Sequence, residues 1–137
     1  MTATGLTKDA GWELGVRRTV PLPVEDVWEY LVGPGRRRWL GDTELGTTKG
    51  DRYTTPDGTR GEVRSFTDQK RLRITWRPAD WKHDSTLQLT VRPAASGGTT
   101  IGIHQERLAD SGERERMLAH WNGVMDRLEE DLVAPGE

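Results

Sequence analysis

The sequence predicts an α+β domain in which a curved antiparallel sheet wraps around one long C-terminal helix. Three observations predict it: a run of short strand patterns separated by turn residues, an amphipathic stretch near the C-terminus, and short helical patterns after the first strand. A chain of 137 residues fits a single domain. We therefore expect one domain over residues 1–137, with its core at about 12–132.

The first strand pattern covers residues 12–20. Apolar residues occupy every second position there, as in a half-buried strand, and Arg18 is the one polar member of the inner set. The pattern ends at Pro21 and Pro23, which cannot donate backbone hydrogen bonds to a sheet.

Two short helices are predicted next. Residues 24–31 carry one apolar face, and Pro23 and the acidic residues that follow it favour a helix start. The Gly-Pro-Gly stretch at 33–35 ends this helix. Residues 36–40 then form a second helical turn that carries Trp39.

Five further strand patterns cover residues 52–55, 60–66, 71–76, 85–92 and 99–107. Their connectors are short and rich in turn residues, so neighbouring strands are predicted to be antiparallel. Alternation assigns these residues to the inner face: Leu72, Ile74, Trp76, Leu87, Leu89, Val91, Ile101 and Ile103. It assigns Arg71, Arg73, Arg92 and His104 to the outer face.

Residues 111–132 predict the long helix that covers the inner face. Its apolar residues recur at spacings of three and four: Met117, Trp121, Val124, Met125, Leu128 and Leu132. Its polar side is predicted to contain Glu113, Arg114, Arg116, Arg127, Glu129 and Glu130. Ser111 is the predicted N-cap.

Composition and charge exclude several classes of protein. The chain contains no cysteine, which excludes disulfides, thiolate nucleophiles and cysteine zinc sites. A formal net charge of −2 gives no overall attraction to nucleic acid or to anionic membranes. No apolar run could span a bilayer, and residues 1–10 lack a signal-peptide pattern. We therefore expect a cytoplasmic protein with no nucleic-acid partner and no membrane insertion.

An ordered series of residues resembles a known family. The series consists of Pro23, Val27, Trp28, Trp39, Gly50, Tyr53, Gly61, Val63, Leu72, Thr75, Trp76, Ser85, Leu89, Gly98, Thr99, Trp121 and Leu128. It is similar to that of homologues of the activator of the heat-shock-protein-90 ATPase, which belong to the START-like superfamily (SRPBCC). Two departures from the family pattern are His120, where the family usually has a glycine, and residues 33–49.

The resemblance implies the helix-grip fold, with a cavity between sheet and long helix that often receives a hydrophobic small molecule. The predicted ligand-binding residues are Trp39, Tyr53, Trp76, Trp81, Leu89, Ile101, Met117, Trp121 and Met125. Flat aromatic rings and flexible thioethers suit an irregular apolar ligand, but each of these residues could equally be ordinary core. Trp81 lies on a polar loop and could be a lid, a contact with another chain, or an anchor on the sheet rim.

Catalytic and metal-binding patterns are weak. His83, His104 and His120 lack the short spacing that places two histidines on one metal, so no metal site and no cofactor are expected. No serine lies in a nucleophile pattern, so no catalytic residue is predicted. Asp42 and Glu44, near the predicted cavity mouth, are the carboxylates to test as acid or base.

Three functions stay open. The leading hypothesis is non-catalytic binding of a small hydrophobic or amphipathic molecule. A cyclase- or hydrolase-like enzyme of the same superfamily would need Arg18, Asp42, Glu44 or Tyr53 inside the cavity. The resemblance also implies a chaperone-associated protein that stimulates the heat-shock-protein-90 ATPase.

Three questions accompany these functions. Residues 36–38, three arginines, form either a cationic rim for an anionic head group or a solvated turn. Residues 33–49 either open or fill the cavity. The chain could be a monomer or a homodimer.

Overall fold

Seven strands and three helices make up residues 6–7 and 11–133, the part of the chain that this computed structural model describes. In chain order they are β1 (Leu6–Thr7), β2 (Gly11–Val20), α1 (Val24–Val32), α2 (Arg36–Trp39), β3 (Arg52–Thr54), β4 (Arg60–Thr67), β5 (Arg71–Trp76), β6 (Ser85–Pro93), β7 (Thr99–Leu108) and α3 (Ser111–Val133). One antiparallel sheet contains all seven strands in the order β1-β2-β7-β6-β5-β4-β3. With α3 packed on β2 and β7, this is the predicted α+β helix-grip fold.

The predicted strands and helices are confirmed to within one residue at each end. The strand β1 was not predicted, because two residues are too short to show a periodicity. The signal-peptide expectation rests on residues 1–10, of which 1–5 and 8–10 lie outside the described residues.

The inner face of the sheet is the apolar face that alternation predicts. On β5 and β6 each predicted inner residue is buried, and its neighbours along the strand are not. Ile101 and Ile103 continue this layer on β7, at 1% and 2% exposure. Each fully buried aliphatic side chain contributes about 1.5–3 kcal/mol relative to an exposed one, so this face supplies much of the stability.

Helix α3 places one apolar stripe against the sheet. Trp121, Val124, Met125 and Leu128 are buried there. Arg18, the polar inner residue of β2, joins strand and helix through hydrogen bonds of its guanidinium group to the side chains of Asn122 at 3.3 Å and Asp126 at 3.2 Å. These bonds satisfy a cation that would otherwise be costly on the inner face.

The start of α3 corrects two predictions. The N-cap is Asp110 rather than Ser111, because the Asp110 carboxylate accepts a hydrogen bond from the backbone N–H of Glu113 at 2.7 Å. Glu113 is buried instead of lying on the polar side, at 8% exposure. Its carboxylate accepts a hydrogen bond from the Ala109 N–H at 2.9 Å, as in a capping box, and this turns the side chain back toward the sheet.

The segment after α1 is held against α3 by a polar cluster. Tyr30 donates a hydrogen bond to the Asp131 carboxylate, and Arg38 Nε donates to the same group at 2.9 Å. These two donors hold the pKa of Asp131 below its usual value. Trp39 and Leu40 follow at 3% and 8% exposure. This part of residues 33–49 therefore fills one end of the core.

Candidate functional site

Trp76, the last residue of β5, lies at the centre of a group of aromatic rings. Its ring centroid is 5.4 Å from that of Trp121 on α3 and 5.4 Å from that of Trp81, which meets it edge-on at 90°. His120 lies 6.3 Å away. Trp81 also stacks on His83, with centroids 4.7 Å apart and planes inclined by 20°. We call these five residues the tryptophan cluster.

A chain of buried hydrogen bonds supports this cluster. Trp121 Nε1 donates to Gln105 Oε1 at 2.8 Å, and Gln105 Nε2 donates to Ser85 Oγ at 3.0 Å. Ser85 Oγ in turn donates to the Trp76 carbonyl at 2.6 Å. Gln105 was not among the predicted site residues, although it follows Ile101 and Ile103 at alternate positions on the inner face of β7.

The indole N–H of Trp76 differs from that of Trp121. Trp76 is 6% exposed, and its Nε1 atom is buried without a hydrogen-bond partner among the described residues. A buried donor without an acceptor costs about 1–3 kcal/mol. Such groups are uncommon in folded proteins, and a missing acceptor from a bound molecule is one explanation.

The loop between β5 and β6 covers Trp76. Trp81 is half-buried there, and its carbonyl accepts a hydrogen bond from Arg77 Nε at 3.0 Å. His83 Nε2 lies 2.8 Å from Glu113 Oε1, an ion-pair distance without the angle of a straight hydrogen bond. Its Nδ1 lies 3.0 Å from the Asp84 carbonyl. Through these two contacts with oxygens, His83 holds the loop to α3.

The nine predicted ligand-binding residues all belong to or pack against one core cluster. Seven are buried: Trp39, Tyr53, Trp76, Leu89, Ile101, Trp121 and Met125. Trp81 and Met117 are half-buried. Direct ring contacts join the three tryptophans Trp76, Trp81 and Trp121.

Trp39 and Tyr53 have polar partners outside the tryptophan cluster. Trp39 Nε1 donates to the Leu31 carbonyl at 2.8 Å, at the end of α1. Tyr53 donates to the Thr75 carbonyl at 2.7 Å. Burial, with a smaller effect of the Asp84 carboxylate, raises the pKa of Tyr53 above its usual range, so the phenol stays a neutral donor.

Three of the residues that the enzyme hypothesis requires, Asp42, Glu44 and Arg18, do not belong to the cluster. Asp42 and Glu44 are exposed, and Asp42 lines a depression of about 70 Å³ beside α2. Arg18 is bonded to α3. His104 faces outward, 3.6 Å from the Glu13 carboxylate. Across the described residues, no three His, Asp or Glu side chains form a group that could hold a metal ion.

The three arginines of α2 have different roles. Arg36 donates to the carbonyls of Val32 and Thr43, each at 2.6 Å, and so connects α1 to the following loop. Arg38 is bound to Asp131. Arg37 is exposed. Arg36 and Arg38 therefore hold this segment in place through their own partners, and they do not form a free cationic rim.

Comparison with known families decides the classification. The family model described as "Activator of Hsp90 ATPase homolog 1-like protein" matches residues 21–132. The chain belongs to this family. Its membership in the START-like superfamily, which the ordered residue series predicted, is confirmed.

Solved structures show the same fold. DynU16, from the dynemicin biosynthetic locus, has a TM-score of 0.76 and 23% identity over 89% of this chain, which covers 47% of the DynU16 chain. PFC0360w, an HSP90 activator from Plasmodium falciparum, has a TM-score of 0.75 and 17% identity, with 91% and 99% of the two chains covered. The Aha1 dimer from Colwellia psychrerythraea has a TM-score of 0.71 and 12% identity, with 91% and 98% covered. At these identities the likeness concerns the fold.

A search for related, functionally curated proteins and an examination of the helices both gave negative results. No functionally curated protein matches the sequence. Within residues 6–7 and 11–133, no helix combines the length and the apolar character needed to cross a bilayer.

Proposed function

We propose that this protein binds a small, mostly apolar molecule that carries one hydrogen-bond acceptor, at the tryptophan cluster between the sheet and α3. The observation that carries the proposal is the buried Trp76 Nε1–H without an acceptor. A ligand carbonyl or ether oxygen would satisfy this donor. The apolar part of the ligand would lie against Trp81, Met117 and Trp121.

The shape of the cluster supports binding coupled to a loop movement. Trp76 and Trp121 are closed off from solvent, at 6% and 0% exposure. Trp81 is the half-buried ring that covers Trp76, and it lies on a connecting loop with exposed neighbours on both sides. Displacement of Trp81 would open a space lined by aromatic surfaces, so we propose Trp81 as the lid and the contact of His83 with Glu113 as its latch.

Chemically, the cluster suits recognition more than catalysis. The hydrogen-bonded groups around Trp76 are an amide, a hydroxyl and an indole, none of which is a general acid or base near neutral pH. The cluster also contains two histidines, but the ring nitrogens of His83 contact the Glu113 carboxylate and the Asp84 carbonyl, and His120 is exposed at the rim. We therefore propose that the protein binds its ligand without catalysing a reaction, and we expect it to act in the cytoplasm.

A matched pair of ligands tests the proposal. Prodan, a fluorescent naphthyl ketone, offers one carbonyl acceptor, whereas 2-ethylnaphthalene offers none. We expect the Trp76→Phe variant to lose about three- to tenfold in affinity for prodan and little for the hydrocarbon, since one neutral hydrogen bond is removed. Equal losses for both ligands, or no binding of prodan by the unaltered protein, would refute the proposed site.

Native mass spectrometry of freshly purified protein gives an independent test. A co-purifying apolar molecule with an oxygen acceptor is the expected result. Its presence in the Trp76→Phe variant at an unchanged level would argue against the role of the indole N–H.

A second candidate, stimulation of a chaperone ATPase, is favoured by the family itself and by the structural neighbour named as an HSP90 activator. Measuring Hsp90 ATP hydrolysis with and without the protein separates the two functions. Stimulation that persists in Trp76→Phe would support the chaperone role through a surface other than the cluster. The Colwellia relative is a dimer. Size-exclusion chromatography against standards of monomer and homodimer mass would therefore determine which of the two states this chain adopts.

A further inference from the structure

The outer face of the sheet carries positive charge that the net charge of the chain does not reveal. Two of its strand carboxylates form ion pairs with arginine, Glu62 with Arg64 at 3.0 Å and Glu106 with Arg73 at 2.8 Å. Glu13 lies 3.6 Å from His104 Nε2. Four cations on the same face have no ion pair or side-chain hydrogen bond among the described residues: Arg17, Lys70, Arg71 and Arg92. The overall charge is −2, so the excess of acidic groups lies elsewhere on the molecule.

Two glycines form a depression among these cations. Gly15 on β2 and Gly102 on β7 are part of the lining of a concavity of about 540 Å³, which Arg17 and Arg92 flank. A side chain at Gly102 would meet Thr90 Oγ1, with its Cβ only 2.7 Å away. The floor is therefore low because these two positions carry no side chain.

The strand register aligns the cations with the depression. Arg17, Gly102, Thr90 and Arg71 form one row across β2, β7, β6 and β5. With adjacent strands about 4.8 Å apart, the two arginines at the ends of this row are roughly 14 Å apart at the backbone. Arg92, two residues beyond Thr90 on β6, projects from the same face as this row and lines the depression with Arg17.

The donors around the depression suit a phosphate group. Gln88, Thr90 and His104 add further side-chain hydrogen-bond donors to the lining. The described lining contains no carboxylate to repel an anion, and its aromatic ring is the imidazole of His104. A neighbouring concavity of about 530 Å³ shares Thr90 and Arg92 and adds Lys70 and Arg71. Guanidinium pairs bind phosphate in bidentate fashion, and these volumes are those of small-molecule sites.

We propose that the outer face of the sheet binds a small phosphate-bearing molecule at the depression of Gly15 and Gly102, with Arg17 and Arg92 as the main phosphate contacts. This site faces away from α3 and the tryptophan cluster. It is independent of the function proposed for that cluster.

Titration calorimetry with inorganic pyrophosphate at low ionic strength tests this site. We expect saturable binding that weakens with added KCl, and a loss of about tenfold in each of Arg17→Ala and Arg92→Ala. Gly15→Asp places a carboxylate in the depression, and the nearest atom to its Cβ is 3.9 Å away, so the fold is expected to persist. This variant should abolish pyrophosphate binding, whereas Gly15→Ala should bind normally.

Arg116→Ala is the matched control, because Arg116 is an exposed arginine on α3. Pyrophosphate affinity should be unchanged in this variant. An equal loss in Arg116→Ala, or unchanged affinity in both Arg17→Ala and Arg92→Ala, would show non-specific attraction and overturn the proposal. Binding of a poly-glutamate peptide or a DNA oligonucleotide in place of pyrophosphate would also overturn it, since the class of ligand would then be wrong.

Discussion

The two faces of one sheet have opposite chemistry. The inner face carries buried aromatic and aliphatic side chains, and the buried Trp76 N–H there has no hydrogen-bond partner among the described residues. The outer face carries glycines, threonines and arginines, with open depressions and cations that lack partners. Alternate residues of the same strands form the two faces. The inward-facing residues therefore determine both stability and recognition at the tryptophan cluster. The outward-facing residues can change what the outer face binds without affecting the fold.

The largest expected effect is a difference between the two faces in how much one substitution lowers the free energy of unfolding. Trp121→Ala removes a fully buried indole and should lower the free energy of unfolding by about 3–5 kcal/mol, measured by urea denaturation. Arg17→Ala on the outer face should change it by less than about 0.5 kcal/mol. A comparable loss in both variants would break the distinction between the faces.

Two glutamines on neighbouring strands provide a closer comparison. Gln105→Leu leaves the buried Trp121 N–H without its acceptor and should cost about 1–3 kcal/mol. Gln88→Leu, on the outer face of β6, removes no side-chain hydrogen bond to another described residue and should be near neutral. Equal unfolding midpoints for the two variants would contradict the importance of the buried chain of hydrogen bonds.

Two histidines distinguish the lid from the outer face. His83→Ala removes the ring stacked on Trp81 and the contact with Glu113, so the loop should open more often. We expect stronger acrylamide quenching of tryptophan fluorescence, with a stability loss of at most about 1 kcal/mol. His104→Ala should leave quenching unchanged. Identical quenching curves for the unaltered protein and the two variants would contradict the proposed role of His83 as a latch.

The smallest expected effect is a pH dependence at the edge of the cluster. Desolvation, with a smaller contribution from Arg127, lowers the pKa of His120 below the ordinary histidine value of about 6.5. The unfolded chain therefore binds the proton more tightly, so stability is full above about pH 6.5 and is lost as the pH falls through the unfolded-state pKa toward the lower folded-state pKa. His120→Asn should flatten this slope between pH 7 and 5. A slope of the opposite sign would show that the folded state favours the charged ring.

Much of this arrangement could be predicted from residue patterns. Period-two alternation identified the inner residues of β5, β6 and β7, and the resemblance to a family brought Trp76 and Trp121 to one site. Alternation also placed Arg71, Arg92 and His104 on the outer face. These predictions succeed because strand geometry determines which face a residue occupies, independently of side-chain detail.

Other features depend on contacts that no pattern encodes. The pairing of His83 with Glu113 joins a loop to a helix start, and the choice of Asp110 over Ser111 as N-cap shifts the helix start by a single position. The unsatisfied Trp76 N–H depends on which way one ring points. The outer cationic surface was hidden by a net charge of −2, because charge totals do not record which groups are paired.

The central claim is that the Trp76 indole N–H donates a hydrogen bond to an acceptor atom of a bound ligand. Nitrogen–proton NMR observes this group directly, since each of the six tryptophans gives one indole signal and that of Trp76 is identified by its loss in Trp76→Phe. On addition of prodan, we predict a downfield shift of the Trp76 indole proton as its hydrogen bond forms, with a smaller change for Trp39. An unchanged Trp76 signal at saturating prodan would contradict the account.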